Sequence, residues 1–350
     1  MIQGFWKKLK RPVFALAPMA DVTDEAFRRI IAKYGKPDVT WTEFVSADGL
    51  CSRGINKLLP DLWFSESERP IVAQLFTSQP EHIKKAAALV QRLGFDGIDI
   101  NLGCPDKSVE KQGAGAALIK DPKLAQKIIL AAMKGAPKIP VSVKTRVGYN
   151  TEILDEWLPH LLKTKPAALT VHFRTRKEMS KVPARWELAE KVLKLRDKYS
   201  PQTLVLGNGD VKDMKDAKEK VKKYKVDGVM FGRAIFGTPW LMANRPAKIT
   251  KEKRLKILLE HTKLFEKLFG GINPHTYPNG KSKNTEFVGK RNNNAIGVGV
   301  KRFEVMKKHF KAYVSGFDGA KELRMELMGT KNAKEVEIII KKHLSLTSDV

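Results

Sequence analysis

A thiol, an amide, a lysine and a histidine recur in this sequence where apolar runs stop. The run Gly97-Ile-Asp-Ile-Asn-Leu102 reads as a buried strand and is halted by Gly103-Cys104-Pro105, since adjacent glycine and proline end a strand and open a loop. Asn101 and Cys104 therefore stand where a strand meets solvent. A thiol there is a proton donor, a nucleophile or a small apolar loop residue. Lys144 lies within the run Val141-Ser-Val-Lys-Thr-Arg146. A buried lysine needs a partner, so an inward Lys144 implies a bound group carrying negative charge or acceptor atoms. Gln74 places an amide in an apolar run, and His172 ends another, followed by Arg174 and Arg176. Ala17-Pro18-Met19-Ala20 forms a rigid turn that a flat ligand can approach. Gly207-Asn208-Gly209-Asp210 and Gly232-Arg233 have the composition of an anion cradle, with glycines admitting the backbone, amides at a helix start and one guanidinium. Each feature alone is common; their joint occurrence at successive strand ends is not.

Something must bring those ends together. Eight β-α units are legible. The strands are expected over 13–19, 38–45, 70–76, 97–102, 140–146, 167–172, 203–207 and 226–231. Helix-period segments follow at 24–34, 80–93, 122–134, 153–163, 186–198 and 214–223. Eight units predict a (β/α)8 TIM barrel, whose active site forms at the C-terminal strand ends. A doubly wound open sheet is the alternative. Beyond residues 239–246 the pattern becomes helical, with helices expected over 251–269, 300–314, 320–328 and 333–343. Residues 270–299 read as a Gly/Asn/Lys-rich loop. The expected division is a catalytic barrel, 1–245, and a smaller basic helical domain, 246–350.

The 350 residues hold 65 Lys and Arg against 38 Asp and Glu, a net charge of +27. Such an excess points to a polyanionic partner, most simply nucleic acid. A Lys-rich solvated surface is the competing reading. Residues 246–350 carry 22 basic against 11 acidic side chains. Lys301, Arg302, Lys307, Lys308 and His309 are the candidate RNA clamp there, or else one solvated helix face. The two cysteines, Cys51 and Cys104, suit neither a disulfide framework nor a metal site. With no apolar leader or membrane-length run, a soluble cytoplasmic monomer without metal is expected. Asp21 and Asp24 are expected to cap the first helix, and Glu43 either reaches the pocket or forms a salt bridge. Cys51, Trp186 and Trp240 are expected to be packing residues.

The motifs APMADVTD (17–24), QLF at Gln74, DINLGCP (99–105), VKTR (143–146), VHFRTR (171–176), GNGD (207–210) and GRA (232–234) occur in this order. Together with KRFEVMKKHFKAY (301–313), they resemble the tRNA-dihydrouridine synthase family of bacterial type. Phe173 departs from the small residue usual after the histidine. The resemblance implies reduction of the C5–C6 double bond of tRNA uridines by FMN, with NADPH as reductant and NADH possible. It implies an FMN phosphate on Asn208, Gly209, Asp210, Gly232 and Arg233, and a flavin ring along Pro18, Met19 and Ala20. Gln74 and Lys144 would bond the ring's polar edge, and His172 would face the flavin or substrate. Hydride would pass from reduced flavin to C6, Cys104 would protonate C5, and Asn101 would hold the uracil. Arg174 and Arg176 would meet RNA backbone or flavin phosphate. Competing readings are a flavin barrel acting on free pyrimidines, a non-enzymatic RNA-binding barrel and a phosphate-binding isomerase.

Overall fold

Parallel strands buried on both faces read as nearly continuous apolar runs, and the eight strands here do so. They are β1 (Val13–Leu16), β2 (Thr40–Ser46), β3 (Ile71–Phe76), β4 (Gly97–Leu102), β5 (Val141–Arg146), β6 (Ala168–His172), β7 (Leu204–Asn208) and β8 (Gly228–Phe231). The structure is a computed structural model and describes residues 3–243, 249–270 and 301–345. All pairings are parallel, in the order β1-β8-β7-β6-β5-β4-β3-β2. The cylinder closes where the Leu16 N–H donates to Val39 O at 3.1 Å and the Asp38 N–H to Phe14 O at 2.9 Å. That closure excludes the open sheet, and the fold is a (β/α)8 barrel followed by helices.

The barrel helices are α1 (Glu25–Gly35), α2 (Ala47–Leu50), α3 (Pro80–Arg92), α4 (Lys107–Lys111), α5 (Pro122–Gly135), α6 (Leu154–Leu162), α7 (Ala189–Tyr199) and α8 (Met214–Tyr224). After them come α9 (Lys251–Phe269), α10 (Val305–Tyr313), α11 (Ala320–Met328) and α12 (Ala333–Ser345). Asp24 caps α1 by accepting from the Phe27 N–H at 2.9 Å, as expected. Asp21 does not cap it. Asp21 occupies a left-handed turn with φ 53°, and its N–H donates to Glu43 Oε1. Strand β1 is shorter than predicted because Met19 and Thr23 pair with each other in a turn, which makes residues 17–20 a loop. The short helices α2 and α4 were not anticipated. The expected domain boundary and residues 271–299 of the expected loop lie outside the described residues.

Strand periodicity sorts the side chains. Ile98, Ile100, Val143, Leu169, Val171 and Val205 join the core between strands and helices. The alternate residues belong to the interior of the cylinder. Its lower part is apolar, with Val13, Ala15, Trp41, Val72, Leu206 and Met230 packed together and closed by Trp6 of the N-terminal segment. The upper part is polar, and there the candidate residues stand. Helices α9–α12 build a separate core that takes in Ala26 and Ile30 of α1.

One buried ion pair anchors α1 and with it the loop after β1. Arg28 Nε donates to Glu68 Oε2 at 2.6 Å with both side chains fully buried, and Arg28 Nη1 donates to Thr23 O at 2.6 Å. Removing one partner strands a buried charge, which costs about 3–5 kcal/mol. Glu68→Gln is therefore expected to lower the denaturant midpoint steeply, and Arg28→Met with Glu68→Leu to lower it less. Equal midpoints for Glu68→Gln and wild type would contradict this.

Candidate active site

A cavity of about 710 Å³ opens at the C-terminal strand ends, within the usual size of a ligand site. Pro18, Met19, Gln74, Asn101, Cys104, Lys144, His172, Arg174, Asn208, Gly209, Asp210, Gly232 and Arg233 all line it. Ala20 is exposed outside it, and Arg176 does not line it.

The register explains this convergence. Gln74 pairs with Asp99, Asn101 with Lys144, Arg146 with His172 and His172 with Asn208 on neighbouring strands. Gln74 Nε2 donates to Asp99 Oδ2 at 2.6 Å, and Ser142 Oγ donates to Asp99 Oδ1 at 2.5 Å. Asn101 Nδ2 donates to Gln74 Oε1 at 2.9 Å. The oxygen of Asn101 is thereby fixed as an acceptor, and it takes the N–H groups of Gly103 at 3.1 Å and Cys104 at 2.9 Å. Asn101 thus sets the backbone of the thiol residue. Burial raises the Asp99 carboxyl to about pH 6.

Charge in the cavity is unevenly matched. Lys144 has no hydrogen-bond or ion-pair partner among the described residues. Burial, then the nearby Arg146, lowers its pKa to about 8. Arg146, buried, donates through Nε to Gly103 O at 2.7 Å and through Nη1 to Thr175 O and Met179 O. Burial and the surrounding cations hold His172 well below the ordinary imidazole range. Arg174 Nη1 lies 3.1 Å from His172 Nε2. A guanidinium only donates, so His172 is neutral with its proton on Nδ1. The Cys104 thiol is pushed up by burial, which outweighs the nearby Lys144 and Arg146. It therefore keeps its proton at neutral pH.

The glycine turns after β7 and β8 form the other part of the cavity. Gly209 has φ +119°, and a Cβ there would meet Ala184 at 2.8 Å and His172 at 3.0 Å. A Cβ on Gly232 would meet nothing within 4 Å, so open space faces that backbone. Asp210 pairs with Arg174 and, at 3.2 Å, with Arg233. Its carboxylate only accepts, so it orients the two arginines, and its contribution to an anion is the backbone. Asn208 Nδ2 is spent on Met230 O at 2.9 Å, tying β7 to β8. A three-residue 3-10 turn, Arg233–Ile235, follows Gly232 in place of a full helix start, so arginine charge matters more here than a helix dipole.

Several lining residues, Phe44, Arg146 and Lys212 among them, are not singled out by the sequence pattern. Phe44 lines the cavity because a bulge in β2 shifts its register between Trp41 and Phe44. Arg146 and Lys212 line it as well. Phe173 is fully buried against Trp186, with ring centroids 4.9 Å apart. Trp186 also donates Nε1–H to Gly209 O at 2.8 Å, so the departure at Phe173 is absorbed by packing under the glycine turn.

The tail residues divide. Arg302 and Lys308 are exposed and Lys307 is half-buried, with Lys308 reaching Asp21 at 3.0 Å. Lys301 is nearly buried, paired with Glu43 and, at 2.8 Å, with Asp61. Glu43 is therefore in a salt bridge and not in the pocket. His309 is fully buried among Phe27, Phe236 and His261. Burial removes His309 from any RNA-facing surface, which corrects that expectation.

A protonated thiol, a neutral imidazole and a lysine without a direct partner thus share one cavity at the mouth of a closed parallel barrel, the place where barrel enzymes assemble their sites. A family model described as dihydrouridine synthase (Dus) matches residues 15–347. The "Probable tRNA-dihydrouridine synthase" of Staphylococcus aureus (strain COL) is 39% identical over 342 residues, 97% of this chain and 95% of that protein. The "Probable tRNA-dihydrouridine synthase 2" of Bacillus subtilis (strain 168) is 38% identical over 342 residues, 97% of this chain and 96% of that one. The old yellow enzyme homologue from Zymomonas mobilis (NCR) superposes with a TM-score of 0.45 at 12% identity, covering 69% of this chain and 92% of that one. The chain belongs to the dihydrouridine synthase family.

The raised thiol pKa makes a directional prediction. A thiol whose pKa lies above its ordinary value becomes thiolate only at higher pH. In a Cys51→Ser background, iodoacetamide is expected to alkylate Cys104 more slowly than a free cysteine at neutral pH, with a rate that still climbs beyond the pH at which a free cysteine levels off. A rate already at its plateau by pH 8 would contradict the assignment.

Proposed function

We propose that this protein is an FMN-dependent tRNA-dihydrouridine synthase, reducing the C5–C6 double bond of particular uridines in tRNA. The observation that carries the reading is the protonated Cys104 thiol beside the unpaired Lys144 in one cavity. NADPH is the proposed reductant, with NADH the alternative.

The residues present suit FMN. Lys144 is a half-buried cation that no carboxylate contacts directly, Gly232 opens on free space and Arg233 lies beside it. Gly209, Gly232, the Asp210 backbone and Arg233 would hold the phosphate, and Pro18 and Met19 would flank the ring. Gln74 and Lys144 would meet its polar edge, and His172 would face it. When bound, FMN in its reduced form supplies the hydride for C6. The rest belongs to the chain. Asn101 fixes the Cys104 backbone, and Cys104 Sγ–H gives its proton to C5. The Lys144 ammonium offsets negative charge where it develops. Neutral His172 can donate through Nδ1 without adding charge. Arg174 and Arg233, aligned by Asp210, keep the anion end cationic.

The uridine must leave its stack to reach this cavity. Arg302, Lys307 and Lys308 offer cations for phosphate on the tail, in a chain of net charge +27. Lys301 and His309 are not part of that surface in this reading.

Two measurements test the proposal. Cys104→Ala should lower dihydrouridine formation in tRNA by about 100-fold or more, the usual scale of lost general acid catalysis, as read by nucleoside mass spectrometry. Near wild-type turnover would remove Cys104 from the acid role. Arg233 is 69% exposed, so Arg233→Gln should leave the melting temperature unchanged. It should weaken FMN about tenfold in a fluorescence titration, the worth of one charge-assisted hydrogen bond. Unaltered FMN affinity would displace the phosphate from this turn.

A further inference from the structure

We infer that Arg176 is a positioning residue, clasping the Cys104 loop through Glu110, and is not an RNA contact. The inference rests on Cys104 being the proton donor proposed above.

The loop that follows β4 carries the thiol and is costly to order. It contains Gly103, Gly113 and Gly115, the last two at φ +70° and +61°. Its only α-helix, α4, has five residues, far below the length at which a helix is stable alone. Its first residues are fixed from below by Asn101 and Arg146, and the Ala116 N–H donates to Cys104 O at 3.0 Å. The intervening helix is held by Val109, packed with Phe76, and by Ser78 Oγ donating to Gln112 O at 2.7 Å, and its Glu110 side needs an anchor of its own.

Arg176 supplies it. Its Nε donates to Glu110 Oε1 at 2.9 Å and Oε2 at 2.8 Å, and its Nη2 also pairs with Oε2. Nη2 lies 3.5 Å from Pro105 O, next to the thiol residue. The arginine is itself held from outside the loop. Its N–H donates to Gly148 O at 2.9 Å, and the Lys177 N–H donates to Tyr149 O at 2.8 Å. The guanidinium lies 5.5 Å from the centroid of the Tyr149 ring, and Lys120 Nζ lies 3.8 Å from the same ring. Lys120 ends the 3-10 turn Gly115–Lys120 that closes the thiol loop. Both ends of the segment are thus tied to the loops after β5 and β6 through one arginine and one tyrosine. The side chains of Glu110 and Arg176 are 11% and 22% exposed, so the pair is shielded and geometrically fixed. Arg176 has given the Nε–Nη2 edge of its guanidinium to the Glu110 carboxylate, and it does not line the cavity.

The clasp and an RNA contact predict opposite patterns. Arg176→Gln, Glu110→Gln and the double variant are to be compared in a Cys51→Ser background. The clasp predicts that both single variants lower kcat by about tenfold or more, since small displacements of a reacting group carry such losses. The double variant should be no worse than either single one. KM for tRNA and its salt dependence should stay unchanged. The iodoacetamide rate at Cys104, without any substrate, should change by a similar factor in all three. The swapped pair Arg176→Glu with Glu110→Arg should recover part of the loss, and Arg176→Lys covers the case in which Arg176→Gln does not fold. A raised KM with a flatter salt slope in Arg176→Gln, and normal kcat in Glu110→Gln, would overturn the clasp in favour of RNA contact. Unchanged alkylation across the set would overturn it outright. An active Cys104→Ala enzyme would instead remove the acid role, while the alkylation rates still report whether the clasp holds the loop.

Discussion

A surplus of buried positive charge governs this molecule. Lys144, Arg146 and Arg174 converge on one cavity, and Asp99 and Asp210 are the carboxylates near them. Asp210 satisfies Arg174 and reaches Arg233, Arg146 spends its donors on backbone carbonyls, and Lys144 is left over. A desolvated cation without a direct partner is unfavourable in the ligand-free protein. The same arrangement is favourable once an anion or an electron-rich ring lies beside it, because the donors need no reorganisation. The apolar lower half of the barrel makes such strain affordable.

The charge surplus also bears on the thiol. Lysine and arginine near a cysteine ordinarily favour thiolate. Here burial wins, and the thiol stays protonated. The distinction separates two chemistries. A thiolate would be a nucleophile, whereas a thiol held protonated is an acid that releases its proton only to a strongly basic carbon. His172 follows the same logic in reverse, since burial and its cationic neighbours keep it neutral. The site thus holds one proton ready on sulfur and avoids a second positive ring beside Lys144.

Much of this was legible in the residues. Strand β4 falls on the expected range, and the other strands lie within a few residues of theirs, because parallel strands with helices on the outside leave strong apolar runs. Glycine turns at Gly209 and Gly232 announce close backbone approach. What was not legible depends on pairing between distant segments. Phe44 reaches the cavity through a bulge that alternation alone does not reveal. Asp210 looked like an anion ligand, yet its carboxylate serves two arginines. Trp6, in a segment that reads as merely short and basic, closes the bottom of the barrel. Lys301 and His309 carry the composition of an RNA surface, but burial places them elsewhere.

Their placement changes how the tail relates to the barrel. Lys301 satisfies Glu43 and Asp61, and Glu43 in turn accepts from the Asp21 backbone. Glu43 directly precedes Phe44, which lines the cavity, and Asp21 follows the Pro18–Ala20 turn. His261 stacks on Phe27 of α1 and His309 meets the same ring at a tilt, and burial holds His309 near pH 3, so this contact is neutral and apolar at physiological pH. One face of the tail is therefore committed to the β1 and β2 side of the barrel mouth. The exposed cations Arg302 and Lys308 lie on the same short stretch as Lys301 and His309, so the anchor fixes where they can point. Lys308 itself reaches Asp21 of the barrel across an exposed pair, so Arg302 is the cation of this stretch that barrel docking leaves most open to a polyanion.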